Sequence, residues 1–182
     1  MESGADSTAK AAKGPPSPPS QGASAARRLW RFSNLIMAVF FGLAGAVQVN
    51  DPDPGLWIVA YSVPAALTLV VSINPSIADN IVWRSLSDLH SAACVMGSAI
   101  LGYSLFANSQ KNILHEEEGR ELFGLVIVTV WMSLCRSSAK TLGGIRLAIA
   151  IFLSVFPFVM WLYIYVNAEM RASWPSHCKT VI

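Results

Sequence analysis

Residues 56–73 read LWIVAYSVPAALTLVVSI, a run of eighteen residues without a charged side chain. At about 1.5 Å per residue, an α-helix of this length rises about 27 Å, which is close to the bilayer hydrocarbon thickness of about 30 Å. Pro64 lies inside the run, and a membrane helix tolerates proline where a neighbouring group satisfies the carbonyl that it leaves free. This stretch therefore predicts a membrane-spanning helix.

Comparable apolar runs lie on both sides of this stretch. Together they predict five spans, at about 32–49, 56–73, 89–107, 119–137 and 145–166. The fourth is the weakest, because its uncharged part rises only about 21 Å. Crossing there requires tilt-free packing, local thinning of the bilayer, or snorkelling of Glu121 and Arg136 toward the membrane surfaces. The predicted fold class is all-α, a polytopic helical membrane bundle with five transmembrane helices.

The composition excludes an ordinary soluble domain. Hydrophobic residues make up 53% of the chain and charged residues 13%, whereas soluble domains carry about 25% charged residues. The formal net charge is only +2, so nucleic acid is not an expected partner. The expected partner of most of this surface is the lipid bilayer.

Three regions are expected along the chain. Residues 1–28 are rich in Ser and Pro and predict a disordered tail, residues 29–167 form the transmembrane domain, and residues 168–182 form a short polar tail. The first region has no apolar core typical of a signal peptide, and Glu2 and Asp6 argue against a mitochondrial transit peptide. The secretory pathway or the plasma membrane is therefore favoured over the mitochondrion.

The distribution of Lys and Arg predicts the orientation. With five crossings, nine basic residues share the side of the N-terminus and four lie opposite. The nine are Lys10, Lys13, Arg27, Arg28, Arg31, Arg84, Arg136, Lys140 and Arg146; the four are Lys111, Arg120, Arg171 and Lys179. The N-terminus is therefore expected in the cytoplasm.

The most distinctive motif connects the first two spans and reads QVNDPDPGLWIVAY at 48–61. A structural interpretation explains much of it. Pro54 suits the first position of the second helix, and Asp53 is expected to cap that helix with its side chain. Trp57 would anchor the membrane interface, and Tyr61 would lie one turn below it on the same face.

A functional interpretation of the same motif is the alternative. Asn50, Asp51 and Asp53 could present oxygen ligands to a cation or a polar headgroup, with the glutamates at 116–118 and Glu121 on the same predicted outer side. No recognised metal-ligand spacing occurs, and neither a catalytic residue nor a cofactor site is predicted. The candidate motif, functional or structural, comprises Gln48, Asn50, Asp51, Pro52, Asp53, Pro54, Trp57, Tyr61 and Glu121.

The string QVNDPDPGLWIVAY resembles the signature of the transmembrane protein 220 family, and ELFGLVIVTVWM at 121–132 is similar to a later stretch of the same family. The similarity extends over about 30–167. It implies a small multi-pass membrane protein and carries over no catalytic residues.

Polar and small residues within the spans give two further expectations. Asp88 and His90, two residues apart at the cytoplasmic end of the third span, are expected to meet headgroups or water on different helix faces. The small-residue pairs predict close helix approach; they are Ala93 with Gly97, Ser98 with Gly102, and Gly42 with Ala46.

These patterns favour a non-enzymatic protein that packs with itself or with other membrane proteins through its small-residue helix faces. The alternative is a small cation or solute transporter or channel that uses Gln48, Glu121 and an acidic extracytoplasmic rim.

Overall fold

The computed structural model describes residues 21–50, 53–108, 117–137 and 143–167. The described chain forms five α-helices, which are α1 (Gln21–Val47), α2 (Pro54–Ile73), α3 (Ile81–Asn108), α4 (Glu117–Arg136) and α5 (Gly143–Val166). Short 3-10 turns follow α1 at Gln48–Asn50 and α2 at Pro75–Asp79. These parts of the chain contain no strand, so the predicted all-α helical membrane bundle is confirmed.

Within the described residues, α1, α2, α3 and α5 are each long and apolar enough to cross a membrane. The fourth predicted span corresponds to α4, which does not meet the same criterion of length and composition. Its twenty residues include five charged ones, at both ends of the helix. Crossing by α4 therefore depends on how it packs, as described below.

Two helices begin earlier than predicted. Residues 21–28 were expected in the disordered tail but belong to α1, because Ala and Arg are good helix formers. The third span was expected to start at 89, whereas α3 starts at Ile81. The side chain of Asn80 accepts a hydrogen bond from the Val82 amide at 2.8 Å, so it caps the helix at this earlier point. The tails at 1–20 and 168–182 lie outside the described residues.

Helices α1 and α2 form an antiparallel hairpin. At one end, Arg31 Nε donates a hydrogen bond of 2.7 Å to the backbone oxygen of Ser72, near the end of α2. At the other end, Gly45 lies against Tyr61 and Ser62, and a Cβ placed on Gly45 would sit 3.5 Å from each. The glycine thus allows the two backbones to approach closely near their connection.

Helices α3 and α4 are also antiparallel. Asp88 near the start of α3 forms an ion pair of 2.7 Å with Arg136 at the end of α4. Farther along, a Cβ on Gly97 would lie 3.2 Å from Leu125, so this member of a predicted small-residue pair is used inside the protein.

Helix α5 runs parallel to α1 and antiparallel to α4. Arg146 lies over the ring of Trp30, and Phe158 packs against Phe40 at 5.9 Å between ring centroids. Phe156 packs against Phe123 near the start of α4. Each helix therefore reverses the direction of the one before it in sequence, and α4 extends between the same two ends of the bundle as its neighbours.

Helix α4 supplies much of the core. Trp131, Val128 and Met132 are fully buried, and Trp131 stacks on Trp30 with ring centroids 6.2 Å apart. The core also draws on the other helices; its members include Met37, Phe41, Trp57, Leu67, Val71, Trp83 and Ala150. A helix that is polar at its ends but buried along its middle is held in the bundle by protein contacts more than by lipid.

Candidate functional site

The motif between α1 and α2 is only partly described. Gln48 and Asn50 lie in the 3-10 turn after α1, and Pro54 is the first residue of α2, as predicted. Asp51 and Pro52 lie outside the described residues, as does the side chain of Asn50. The expected grouping of oxygen ligands therefore stays a prediction.

The expected capping role of Asp53 is wrong. Asp53 occupies the N-cap position of α2, but its side chain forms no capping hydrogen bond. Its backbone, at φ −118° and ψ 58°, departs from the extended conformation in which an N-cap side chain reaches the first free amides. Pro54 at the next position lacks an N–H, so one of those amides needs no partner.

Trp57 and Tyr61 pack against each other on α2. Their rings stack with centroids 6.3 Å apart, which confirms that they share a helix face one turn apart. Only 7% of Trp57 is exposed, so neighbouring helices cover this face of α2. Its expected position at the membrane interface stays a prediction.

Tyr61 marks the contact between α2 and α4. A Cβ on Gly124 would overlap the Tyr61 hydroxyl, so only glycine at 124 leaves room for the phenol ring where it stands. The same tyrosine lies against Gly45 of α1. It therefore fills a junction of three helices, near the end of the bundle that carries the motif.

Glu121 lies at that same end. It is half-buried one turn before Gly124 on α4, and Gly124 contacts Tyr61. The structure thus places Glu121 and the described part of the α1–α2 motif toward one end of the bundle. No group of three or more His, Cys, Asp or Glu residues within the described ranges could hold a metal ion.

A polar contact that was not predicted from the sequence joins α3 to α2. His90 was expected to meet headgroups or water, but its Nε2 donates a hydrogen bond of 3.1 Å to the backbone oxygen of Ala60. In a helix this oxygen would accept from the amide of residue 64, which is Pro64 and has no N–H. His90 therefore replaces the hydrogen bond that proline removes. Pro64 was the sequence signal for this contact, because it leaves the carbonyl of Ala60 without its usual helical donor.

Asp88, which was also expected at headgroups or water, forms an ion pair with Arg136. Both partners keep partial exposure, 53% for Asp88 and 33% for Arg136. The pair therefore lies at the rim of the bundle and ties α3 to the end of α4.

A second polar cluster lies at the end of the bundle opposite Tyr61. Asn34 is fully buried; its Nδ2 donates to the Trp30 backbone oxygen at 2.8 Å, and its Oδ1 accepts from the Cys135 thiol at 3.3 Å. The Arg146 guanidinium lies 3.9 Å from the centroid of the Trp30 ring, which is a favourable cation–π distance. This cluster joins α1, α4 and the start of α5, where Arg146 lies.

Among the described residues, four helices are long and apolar enough to cross a membrane, and they pack with α4 around a shared apolar core. These features define a helical multi-pass membrane protein. Residues 40–137 match the family described as Transmembrane family 220, helix. The chain is also 55% identical to Transmembrane protein 220 of Xenopus laevis over 157 residues, which cover 86% of this chain and 85% of the relative. The chain therefore belongs to transmembrane family 220. No solved structure matches it.

Proposed function

We propose that the protein is a non-enzymatic multi-pass membrane protein that acts by associating with itself or with other membrane proteins through the outer face of α1. The observation that carries this proposal is the position of Gly42. Nothing lies within 4 Å of the place where a Cβ on Gly42 would stand, and Ala46, one turn later, is also exposed. Small residues spaced by four let a second helix approach closely in a membrane.

The other small residues sort into inward and outward positions. Gly45 and Gly97 contact α2 and α4, respectively, so they serve packing within the chain. Gly42 and Gly102 have open space where a side chain would be. Gly42 is the better candidate for contact with a partner, because Gly42 and Ala46 are both exposed, whereas Gly102 and Ser98 are half-buried.

Cysteine crosslinking in native membranes tests this proposal. In a Cys178→Ser background, Gly42→Cys and Ala46→Cys should form crosslinked species whose mass identifies a second copy or another protein. Gly45→Cys is the matched control, since that position faces α2, and it should not crosslink. A monomer in every variant, or equal crosslinking at 42 and 45, would contradict the proposal.

The proposal includes five crossings with the N-terminus in the cytoplasm, in the secretory pathway or the plasma membrane. The alternating helix directions support it, as does the count of nine against four basic residues on the two sides. Engineered glycosylation sites within 108–115 and within the C-terminal tail provide the test, and both should be modified. Modification of the first alone would mean that α4 does not cross.

A second candidate function is that of a small cation or solute transporter. Its support is that Glu121 lies toward the same end of the bundle as the Gln48–Asp53 connection. Large apolar side chains fill the described core, among them Phe41, Trp131 and Met132 at 0% exposure, and this packing favours association over conduction. Cation flux into liposomes that depends on Asp51 and Glu121 would support transport. Flux equal to that of empty vesicles would rule out the transporter hypothesis.

A further inference from the structure

The outer surface between α1 and the end of α2 contains an open groove of about 400 Å³. Two arginines and a serine line it together with four large apolar side chains; the lining residues are Arg28, Arg31, Phe32, Leu35, Leu69, Ser72 and Ile73. The groove lies at the Arg-rich end of α1. A phospholipid has complementary chemistry: its phosphate suits the charged rim, and its acyl chains suit the apolar wall.

The rim of the groove is held in place by the protein. Arg31 Nε donates a 2.7 Å hydrogen bond to the Ser72 backbone oxygen, which fixes the guanidinium at the mouth of the groove. That bond uses one of the five N–H donors of an arginine. Arg28 precedes Arg31 by three residues, so the two side chains are neighbours on the helix surface. Paired guanidinium groups suit the oxygens of a phosphate.

The wall of the groove is apolar and open. Phe32 is 59% exposed and Ile73 66%, and Leu35 and Leu69 are also exposed. Among the described residues that line the groove, none carries a carboxylate. The charged groups that line the groove are therefore the two arginines, and the apolar surface below them matches a hydrocarbon chain.

We propose that this groove binds one anionic phospholipid, with its phosphate at Arg28 and Arg31 and an acyl chain along Phe32, Leu35, Leu69 and Ile73. Basic pockets between transmembrane helices recognise acidic headgroups by this combination of charge and depth in the membrane. The preference for an anionic lipid over phosphatidylcholine comes from net charge, since both lipids would fill the apolar wall equally. The inference is independent of the association surface at Gly42, which lies farther along α1.

The full-length protein in nanodiscs of phosphatidylcholine, with and without phosphatidylserine, provides the test, and native mass spectrometry counts the lipids retained. Arg28→Gln removes charge without removing the bond to Ser72. Each arginine removed should weaken retention of phosphatidylserine about fivefold, and the pair about 25-fold. Arg84→Gln is the matched control, because Arg84 is an exposed arginine at the same end of the bundle, on α3 and outside the groove.

Two further variants separate this site from general surface charge. Leu69→Trp should fill the groove and reduce lipid retention although both arginines are intact. Arg31→Lys should retain less lipid than the native chain, because lysine lacks the planar guanidinium that the bond to Ser72 holds in place. Inorganic phosphate at matched concentration should not compete, since it lacks the acyl chain. Equal losses in Arg28→Gln and Arg84→Gln, or full retention in Leu69→Trp, would overturn the proposal.

Discussion

The hydrogen bond from His90 to the Ala60 carbonyl makes a quantitative prediction about stability. We expect His90→Ala to destabilise the folded protein, because it leaves a backbone oxygen without the donor that Pro64 cannot supply. Pro64 itself is among the fully buried residues, so the oxygen sits beside a part of α2 that neighbouring helices cover. The loss should appear as a lower free energy of unfolding.

The expected size of this loss follows from the environment of the bond. An unpaired buried polar group costs about 1–3 kcal/mol in soluble proteins, whereas interhelical hydrogen bonds in a membrane protein average about 0.6 and reach about 1.7 kcal/mol. The separation of 3.1 Å is ordinary for a nitrogen–oxygen bond, and His90 is only half-buried. We therefore expect His90→Ala to cost about 1–2 kcal/mol.

A double-mutant cycle isolates the hydrogen bond from the packing of the imidazole ring. Pro64→Ala restores an N–H at position 64, so the Ala60 oxygen regains a donor within its own helix. In that background, His90→Ala should cost about 1 kcal/mol less than in the native chain. The free energies come from unfolding in mixed micelles by titration with dodecyl sulfate, followed by tryptophan fluorescence.

Ser98→Ala serves as the control for this cycle. The Ser98 hydroxyl donates to the Cys94 backbone oxygen within α3 at 2.8 Å, and that oxygen keeps its normal helical partner. Its removal should change stability by less than about 0.5 kcal/mol. An equal cost of His90→Ala in the native chain and in the Pro64→Ala background would refute the assignment of His90 as the replacement donor.

Two other contacts give predictions of the same kind, measured by the same unfolding titration. Gly124→Ala should cost about 1–3 kcal/mol, because its methyl group would overlap Tyr61. Gly102→Ala is the control and should be neutral or slightly stabilising, because open space surrounds Gly102. Equal effects of the two substitutions would contradict the close approach of α2 and α4. Asp88→Asn should cost about 0.5 kcal/mol at low salt and less at high salt, because the pair with Arg136 is partly exposed; a loss that salt does not change would argue against a Coulombic contribution.

The interior of the apolar runs could be predicted because lipid imposes a simple requirement on them. A run such as 56–73 without charge must form a helix to satisfy its backbone in hydrocarbon, and α2 ends at Ile73 as expected. The helix starts at Gln21 and Ile81 were missed because they lie outside the apolar windows. There, helix propensity and the Asn80 cap decide the boundary instead of hydrophobicity.

The candidate site was predicted less completely. The face shared by Trp57 and Tyr61 follows from helical spacing alone, and the structure confirms it. Whether that face meets lipid or protein depends on which helices pack against it. The burial of Trp57 and the contact of Tyr61 with Gly124, more than sixty residues later, could not be read from spacing along the chain.

The sequence by itself determined the class of protein and its membrane helices, because transfer of long uncharged segments into hydrocarbon depends on local composition. Tertiary structure alone decided the partners of the polar and small residues within those helices. His90 donates to the Ala60 oxygen that Pro64 leaves without a donor, Asp88 pairs with Arg136, and Gly42 faces outward. These outcomes depend on the rotation of each helix about its axis, which is fixed by packing among distant segments.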